Sequence, residues 1–260
     1  MDIKSVIEVI VRDGFILVFN EDCLDVVRTA AALQEAGICQ MEVTCRIRRP
    51  LAKIERLRDE LPEFVVGSAS LIDYDRVLAR HNAARLDDPL PTPAQSLDSG
   101  AHYLVSAGNF SSNTYERFAG RVPLIPGCGT ISEVLDQFDR GANLCKLFPA
   151  QQLGGPGFVK AFDAAAHRFI PLIPTGGTGP GNLADYVAAG VFVVGGSFSM
   201  LDKAVFECIV EGQDYAELTR QFAHIKNQID ELRARQWPDL DFAAASLGHV
   251  ADVTGRDFNV

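Results

Sequence analysis

Apolar runs of strand length recur along this chain, and amphipathic stretches of helical period separate them. Phe15 to Phe19 is the first run. Ile38 to Val43, Glu63 to Gly67, Tyr103 to Val105, Val122 to Ile125, Asn143 to Phe148, Ile170 to Ile173 and Val191 to Val194 follow. Runs that are apolar at nearly every position are strands buried on both faces, as in a parallel sheet covered by helices. Eight such strand–helix units in succession predict an α/β chain closed into a (β/α)8 barrel, the TIM-barrel architecture. An open doubly wound sheet would want a glycine-rich turn after its first strand. Asn20-Glu21-Asp22 stands there instead.

The pattern extends beyond the eight units at both ends. Residues 2–12 read as a short amphipathic helix, and Tyr215 to Arg235 as a long charged one. Past Trp237-Pro238 the tail reads as irregular. The expected division is a barrel over 1–212 and a C-terminal helix and tail over 213–260, packed on the barrel or extending from it. One segment breaks the rhythm. Residues 81–99 carry Pro89, Pro91 and Pro93 among aspartates and small polar residues. They read as an inserted surface loop, longer than βα connections usually are.

Composition narrows the function. A net charge of −10 argues against a nucleic-acid partner, which needs a basic face. An anionic small molecule is still allowed, because a local group of donors can bind one. The six cysteines form no CxxC pair and read as reduced core residues of a cytoplasmic protein. The five histidines make no HxH or HExxH pattern, so no protein-bound metal is expected; no cofactor is expected either. No apolar stretch of about 20 residues and no signal-peptide pattern are present, so no membrane partner is expected.

The polar residues that close the strands matter most, because barrel active sites lie at the C-terminal strand ends. The sixth strand holds Lys146 among apolar neighbours. Lysine is rarely buried without a partner or a task, and desolvation disfavours a buried ammonium. A neutral amine is a nucleophile that forms a Schiff base with a carbonyl substrate. The alternative is a lysine whose stem lies along the sheet while its head reaches water. Cys145, its neighbour, should face the other side of the strand. The second strand closes with Glu42-Val43-Thr44-Cys45-Arg46, which puts Glu42 and Thr44 on one face. Glu42 is suited to proton transfer and Arg46 to a carboxylate, or Glu42 forms a structural ion pair with Lys146 or Arg46. The seventh and eighth strands end in Thr175-Gly176-Gly177 and Gly195-Gly196-Ser197, where barrel enzymes commonly hold phosphate. Thr130 with Glu133 reads as a helix capping box rather than a binding group.

Taken together and in order, Glu42-Val43-Thr44-Cys45-Arg46, Lys146-Leu147-Phe148-Pro149-Ala150, Pro174-Thr175-Gly176-Gly177 and Gly195-Gly196-Ser197 resemble the 2-keto-3-deoxy-6-phosphogluconate (KDPG) / 4-hydroxy-2-oxoglutarate (KHG) aldolase family. The resemblance covers roughly residues 5 to 215. It implies a metal-free class I aldolase, usually a homotrimer, that cleaves a 2-keto-4-hydroxy acid to pyruvate and an aldehyde. For KDPG the aldehyde is glyceraldehyde 3-phosphate. On that resemblance Lys146 forms the Schiff base and Glu42 shuttles protons. Arg46 and Ser70 bind the pyruvate carboxylate, while Phe148 and Thr175 lie beside the pyruvyl group. Gly176, Gly177, Gly196 and Ser197 form the phosphate cradle.

The chain departs from the family pattern in several places. Ser70 stands where threonine is usual, and Ser106-Ala107-Gly108 where Ser-Pro-Gly is usual. The first strand ends Phe19-Asn20 instead of in a basic residue. These departures, with the insertion and the tail, motivate an alternative reading: a catalytically altered barrel that binds a phosphorylated sugar acid as a sensor or scaffold.

Overall fold

The computed structural model describes residues 1–260. Its strands are β1 (Phe15–Phe19), β2 (Gln40–Thr44), β3 (Val65–Leu71), β4 (Tyr103–Ser106), β5 (Leu124–Ile125), β6 (Gly127–Cys128), β7 (Cys145–Leu147), β8 (Leu172–Pro174) and β9 (Val194–Gly196). All pairings are parallel, and the strands form two curled segments, in the orders β5-β4-β3-β2-β1-β9 and β6-β7-β8. Pro126 divides β5 from β6, because proline brings no N–H to a ladder. Its carbonyl still accepts from Lys146 N at 2.8 Å. No backbone ladder joins β8 to β9. Thr178 Oγ1 instead donates to the Gly195 carbonyl at 2.6 Å.

Side chains alternate across each strand, as the two-residue period requires. Phe15, Leu17, Met41, Val43, Leu104, Cys145, Leu147 and Leu172 join the core beneath the helices. Ile16, Val65, Tyr103, Val105, Leu144 and Ile173 face a second cluster, shared with Val6, Ile7, Ile10 and Val11 of α1 (Ile3–Asp13). Cys145 therefore lies on the face opposite Lys146, as expected. The cysteines are not all core residues as expected: Cys45, Cys128 and Cys145 are buried, Cys39 is half-buried, and Cys23 and Cys208 are exposed. No helix is long and apolar enough to cross a membrane.

Two readings of the chain need correction. First, residues 81–99 are not one loop. The helix that returns beneath β4 is α5 (Pro93–Asp98), while α4 (Asp75–Ala83) belongs to an excursion between β3 and α5. Thr92 accepts from Gln95 N, and the Gln95 side chain accepts from Thr92 N, a capping box with Pro93 in the first turn. The proline that suggested a loop instead starts a helix. The Thr130–Glu133 capping box does form, at the head of α7 (Ile131–Asp139).

Second, the tail is not wholly irregular. It contains α12 (Leu247–Thr254), and Leu247, Val250 and Phe258 share the cluster of α1. Asn143 Nδ2 donates to the carbonyls of Phe258 and Asn259. Arg256 donates to both oxygens of buried Asp163. Arg233 of α11 (Tyr215–Gln236), itself buried, donates to the Val11, Arg12 and Phe192 carbonyls. These contacts link residues far apart in sequence, so local periodicity could not reveal them.

Asp13, at the end of α1, is fully buried and accepts from Cys39 N. Burial pushes its carboxyl up to about 6, against the pull of the Arg12 guanidinium. The unfolded chain releases this proton near pH 4, and the native protein holds it until about pH 6. Native stability therefore falls across that interval and levels off above it. Wild type should lose about 3 kcal/mol relative to Asp13→Asn between pH 4 and pH 7. Urea unfolding of both proteins across that range checks this, and parallel stability curves would refute it.

Candidate active site

Glu42 and Lys146 come from strands far apart in sequence and meet on the inner face of the curled sheet segments. Lys146 Nζ donates to Glu42 Oε1 at 2.7 Å, and both side chains are less than a tenth exposed. Glu42 lies in register with Val18 of β1 and Gly67 of β3, and Lys146 with Gly127 and Ile173. Each is thus held by a neighbouring strand on either side. A pair this deep is costly to bring out of water, so its retention suggests a use beyond stability.

The surroundings support the pair. Tyr103 Oη donates to Gln40 Oε1 at 2.9 Å. Burial pushes the Tyr103 phenol well above its usual value, with the Glu42 and Asp13 carboxylates adding to the effect. It is a neutral donor across the working pH range. Burial also pushes the Cys45 thiol up to about 11, which leaves it unreactive.

Lys146 opens into a cavity of about 370 Å³ whose wall includes Arg46, Ser70, Ser106, Phe148 and Thr175. Phe148 places its ring centroid 5.9 Å from Lys146 Nζ. Ser70 has φ +60°, at a register shift where β3 meets β4. The left-handed conformation is unfavourable for a serine, and the shift re-aims its side chain at the cavity. Thr175 is buried beside Gly195, where an added Cβ would lie 2.2 Å from Thr175 Oγ1. Only glycine allows that approach.

The expected cradle adjoins this wall: Gly176 follows Thr175, and an added Cβ there would lie 3.2 Å from the Phe148 ring. Gly176 and Gly177 turn the chain after β8 with φ of +89° and +79°. Ser197 Oγ accepts from Ser199 N, capping a short 3-10 turn (Phe198–Met200) after β9. Gly177, Gly196 and Ser197 follow at the same strand ends, and Glu42 meets the cavity at the Lys146 amine.

Sequence reasoning missed seven lining residues, Val18, Leu71, Ile72, Tyr74, His81, Arg85 and Leu90. The last four belong to the excursion between β3 and α5. Its length was the available signal, since long βα connections in barrels border the site.

A parallel α/β fold with a buried amine and carboxylate paired at the floor of a cavity defines a class, that of α/β proteins whose inward amine is placed to meet a carbonyl compound. The comparisons narrow it. The family model for KDPG and KHG aldolase matches residues 7–221, and the chain belongs to that family. The 2-dehydro-3-deoxy-phosphogluconate aldolase of Pseudomonas aeruginosa is 34% identical over 199 residues, covering 75% of this chain and 80% of the relative. The KHG/KDPG aldolase of Escherichia coli K12 is 31% identical over 194 residues, 74% of this chain and 80% of the relative. Among solved structures, the KDPG aldolase of Legionella pneumophila superposes with a TM-score of 0.66 at 23% identity, covering 84% of this chain and 97% of the other.

Proposed function

We propose that this protein is a class I aldolase that cleaves a 2-keto-4-hydroxy acid, KDPG for preference, to pyruvate and glyceraldehyde 3-phosphate. The observation that carries the proposal is the 2.7 Å bond from Lys146 Nζ to Glu42 Oε1 beneath the cavity. Family membership and the names of the relatives support the substrate class. In the Legionella pneumophila relative, pyruvate was captured as a covalent carbinolamine.

Along the Lys146–Glu42 bond the ammonium hands its proton to the carboxylate, which frees the nitrogen lone pair. The amine adds to the C2 carbonyl to give a carbinolamine, which loses water to become a protonated imine. Glu42, again a carboxylate, takes the C4 hydroxyl proton. The C3–C4 bond breaks, its electron pair flows into the imine, and the aldehyde departs from a neutral enamine. Protonation at C3 and addition of water release pyruvate and restore the amine. Arg46 and Ser70 hold the C1 carboxylate, and Thr175 and Phe148 flank the pyruvyl carbons. Gly176, Gly177, Gly196 and Ser197 are the phosphate cradle implied by the family resemblance.

Residues 1–212 act as the barrel, with β5 and β6 as one stave and 213–260 as an extension that covers its lower end. The parallel strand order and the bonds across Pro126 support eight staves. A cytoplasmic homotrimer completes the reading, on family resemblance. Borohydride reduction in the presence of pyruvate tests it, with the adduct expected on Lys146. A barrel that only binds sugar acids would release no pyruvate in a coupled assay.

A further inference from the structure

Glu42 has to keep one position through two states of Lys146. In the free protein the Lys146 ammonium holds its carboxylate at 2.7 Å, and no other side chain bonds it. In the imine that nitrogen carries at most one hydrogen and is tied to the substrate. The ammonium hold is then gone, at the stage where Glu42 must face the C4 hydroxyl and later C3. Another group has to keep the carboxylate in line, since a misplacement of about 1 Å costs on the order of 10²-fold in rate.

Three residues on the inner face build one arrangement beside it. Glu42, Gly67 and Tyr103 stand at one level on β2, β3 and β4, Glu42 in register with Gly67 and Gly67 with Tyr103. The Tyr103 ring lies against Gly67, where an added Cβ would come within 2.2 Å of it. Glycine inside a strand weakens it and marks the close approach of another group. Across Gly67 the ring reaches β2, where Tyr103 Oη donates to Gln40 Oε1 at 2.9 Å. Gln40 Nε2 in turn donates to the Phe15 carbonyl of β1 at 2.5 Å. Gln40 lies two residues before Glu42 and on the same face. The phenol of β4 is therefore moored to the strand that carries Glu42.

Tyr103 and Gln40 are both fully buried, and Ile16, Val65 and Val105 share the layer of the ring. Two apolar side chains could fill this space without the cost of burying a hydroxyl and an amide. The polar pair adds a fixed orientation, because a satisfied buried network rigidifies what it joins. Burial also keeps the phenol neutral, so no second charge stands beside Glu42. We infer that Tyr103 is a positioning residue: anchored on Gln40 and admitted by Gly67, its ring keeps the Glu42 carboxylate in line while Lys146 is engaged in the imine. This rests on the aldolase reading of Lys146.

Tyr103→Phe, Gln40→Leu and the double variant test the assignment on the full chain. The readouts are steady-state kinetics on KDPG, exchange of the pyruvate methyl protons in deuterated water, and urea unfolding. Tyr103→Phe frees the ring and leaves Gln40 without its donor. Exchange and kcat should each slow by roughly 10- to 100-fold. kcat/KM should fall together with kcat, the pattern of a contact that matters only in the transition state. Gln40→Leu should act in the same direction, because the mooring goes while the phenol stays. In Tyr103→Phe/Gln40→Leu neither member of the pair is stranded, so the unfolding midpoint should return toward that of wild type, while exchange stays slow. Exchange that recovers along with stability would make the pair a structural bond only and overturn the inference, as would wild-type exchange in either single variant. Borohydride trapping of pyruvate on wild-type Lys146 runs alongside. An adduct together with wild-type exchange in the variants removes only the Tyr103 assignment, whereas no adduct removes the aldolase reading and the inference together.

Discussion

Lys146→Met is expected to form no borohydride-stable adduct with pyruvate and to lose turnover by on the order of 10⁴- to 10⁶-fold, the scale on which removal of a covalent nucleophile is felt. The side chain is replaced by one of similar length without the amine, so the cavity keeps its shape. The variant also leaves Glu42 buried without its partner, since Lys146 Nζ is the partner found for that carboxylate. Breaking a buried pair from one side costs about 3–5 kcal/mol. Lys146→Met/Glu42→Gln removes the stranded charge and should regain much of that loss, while activity stays absent. Intact-protein mass spectrometry, a coupled pyruvate-release assay and urea unfolding together separate chemistry from folding. An adduct that persists in Lys146→Met would place the imine on another lysine and refute the mechanism.

Glu42→Gln should have the second-largest effect. The amide keeps the side chain's shape and an acceptor for Lys146 Nζ, but it cannot take a proton from the C4 hydroxyl or return one to the enamine. Positioned proton transfer of this kind is typically worth ~10²–10⁴-fold, and kcat should fall by about that much. A second readout isolates the step. With pyruvate alone in deuterated water, wild type should exchange the methyl protons through the enamine, and Glu42→Gln should do so far more slowly. Trapping at Lys146 should survive in the variant, only slower. Exchange at the wild-type rate would show that another group carries the proton.

Part of this site was legible from local sequence. A two-residue period sends neighbouring side chains to opposite faces. Lys146 could therefore be separated from Cys145, and Glu42 from Val43, before their surroundings were known. The Thr130 capping box was legible for a similar reason, since its partners lie three residues apart. The Thr92 capping box carried the same signal. Three prolines within residues 81–99 argued against a helix there, and proline at the first helical position is compatible with a helix as well as with a loop. That misreading ran the insertion on through α5 and left His81 and Arg85 inside it without an assigned place.

The residue order by itself determined the parallel strands, the helices between them and the two side chains that face inward, because each depends on spacing over a few residues. Only the tertiary structure decided which strand ends share a cavity, that Arg85 lies on its wall, and that the last residues pack against α1. Those outcomes depend on contacts between segments tens to hundreds of residues apart. Such contacts form only when burying the helix and strand faces brings the segments together, and no local period records them.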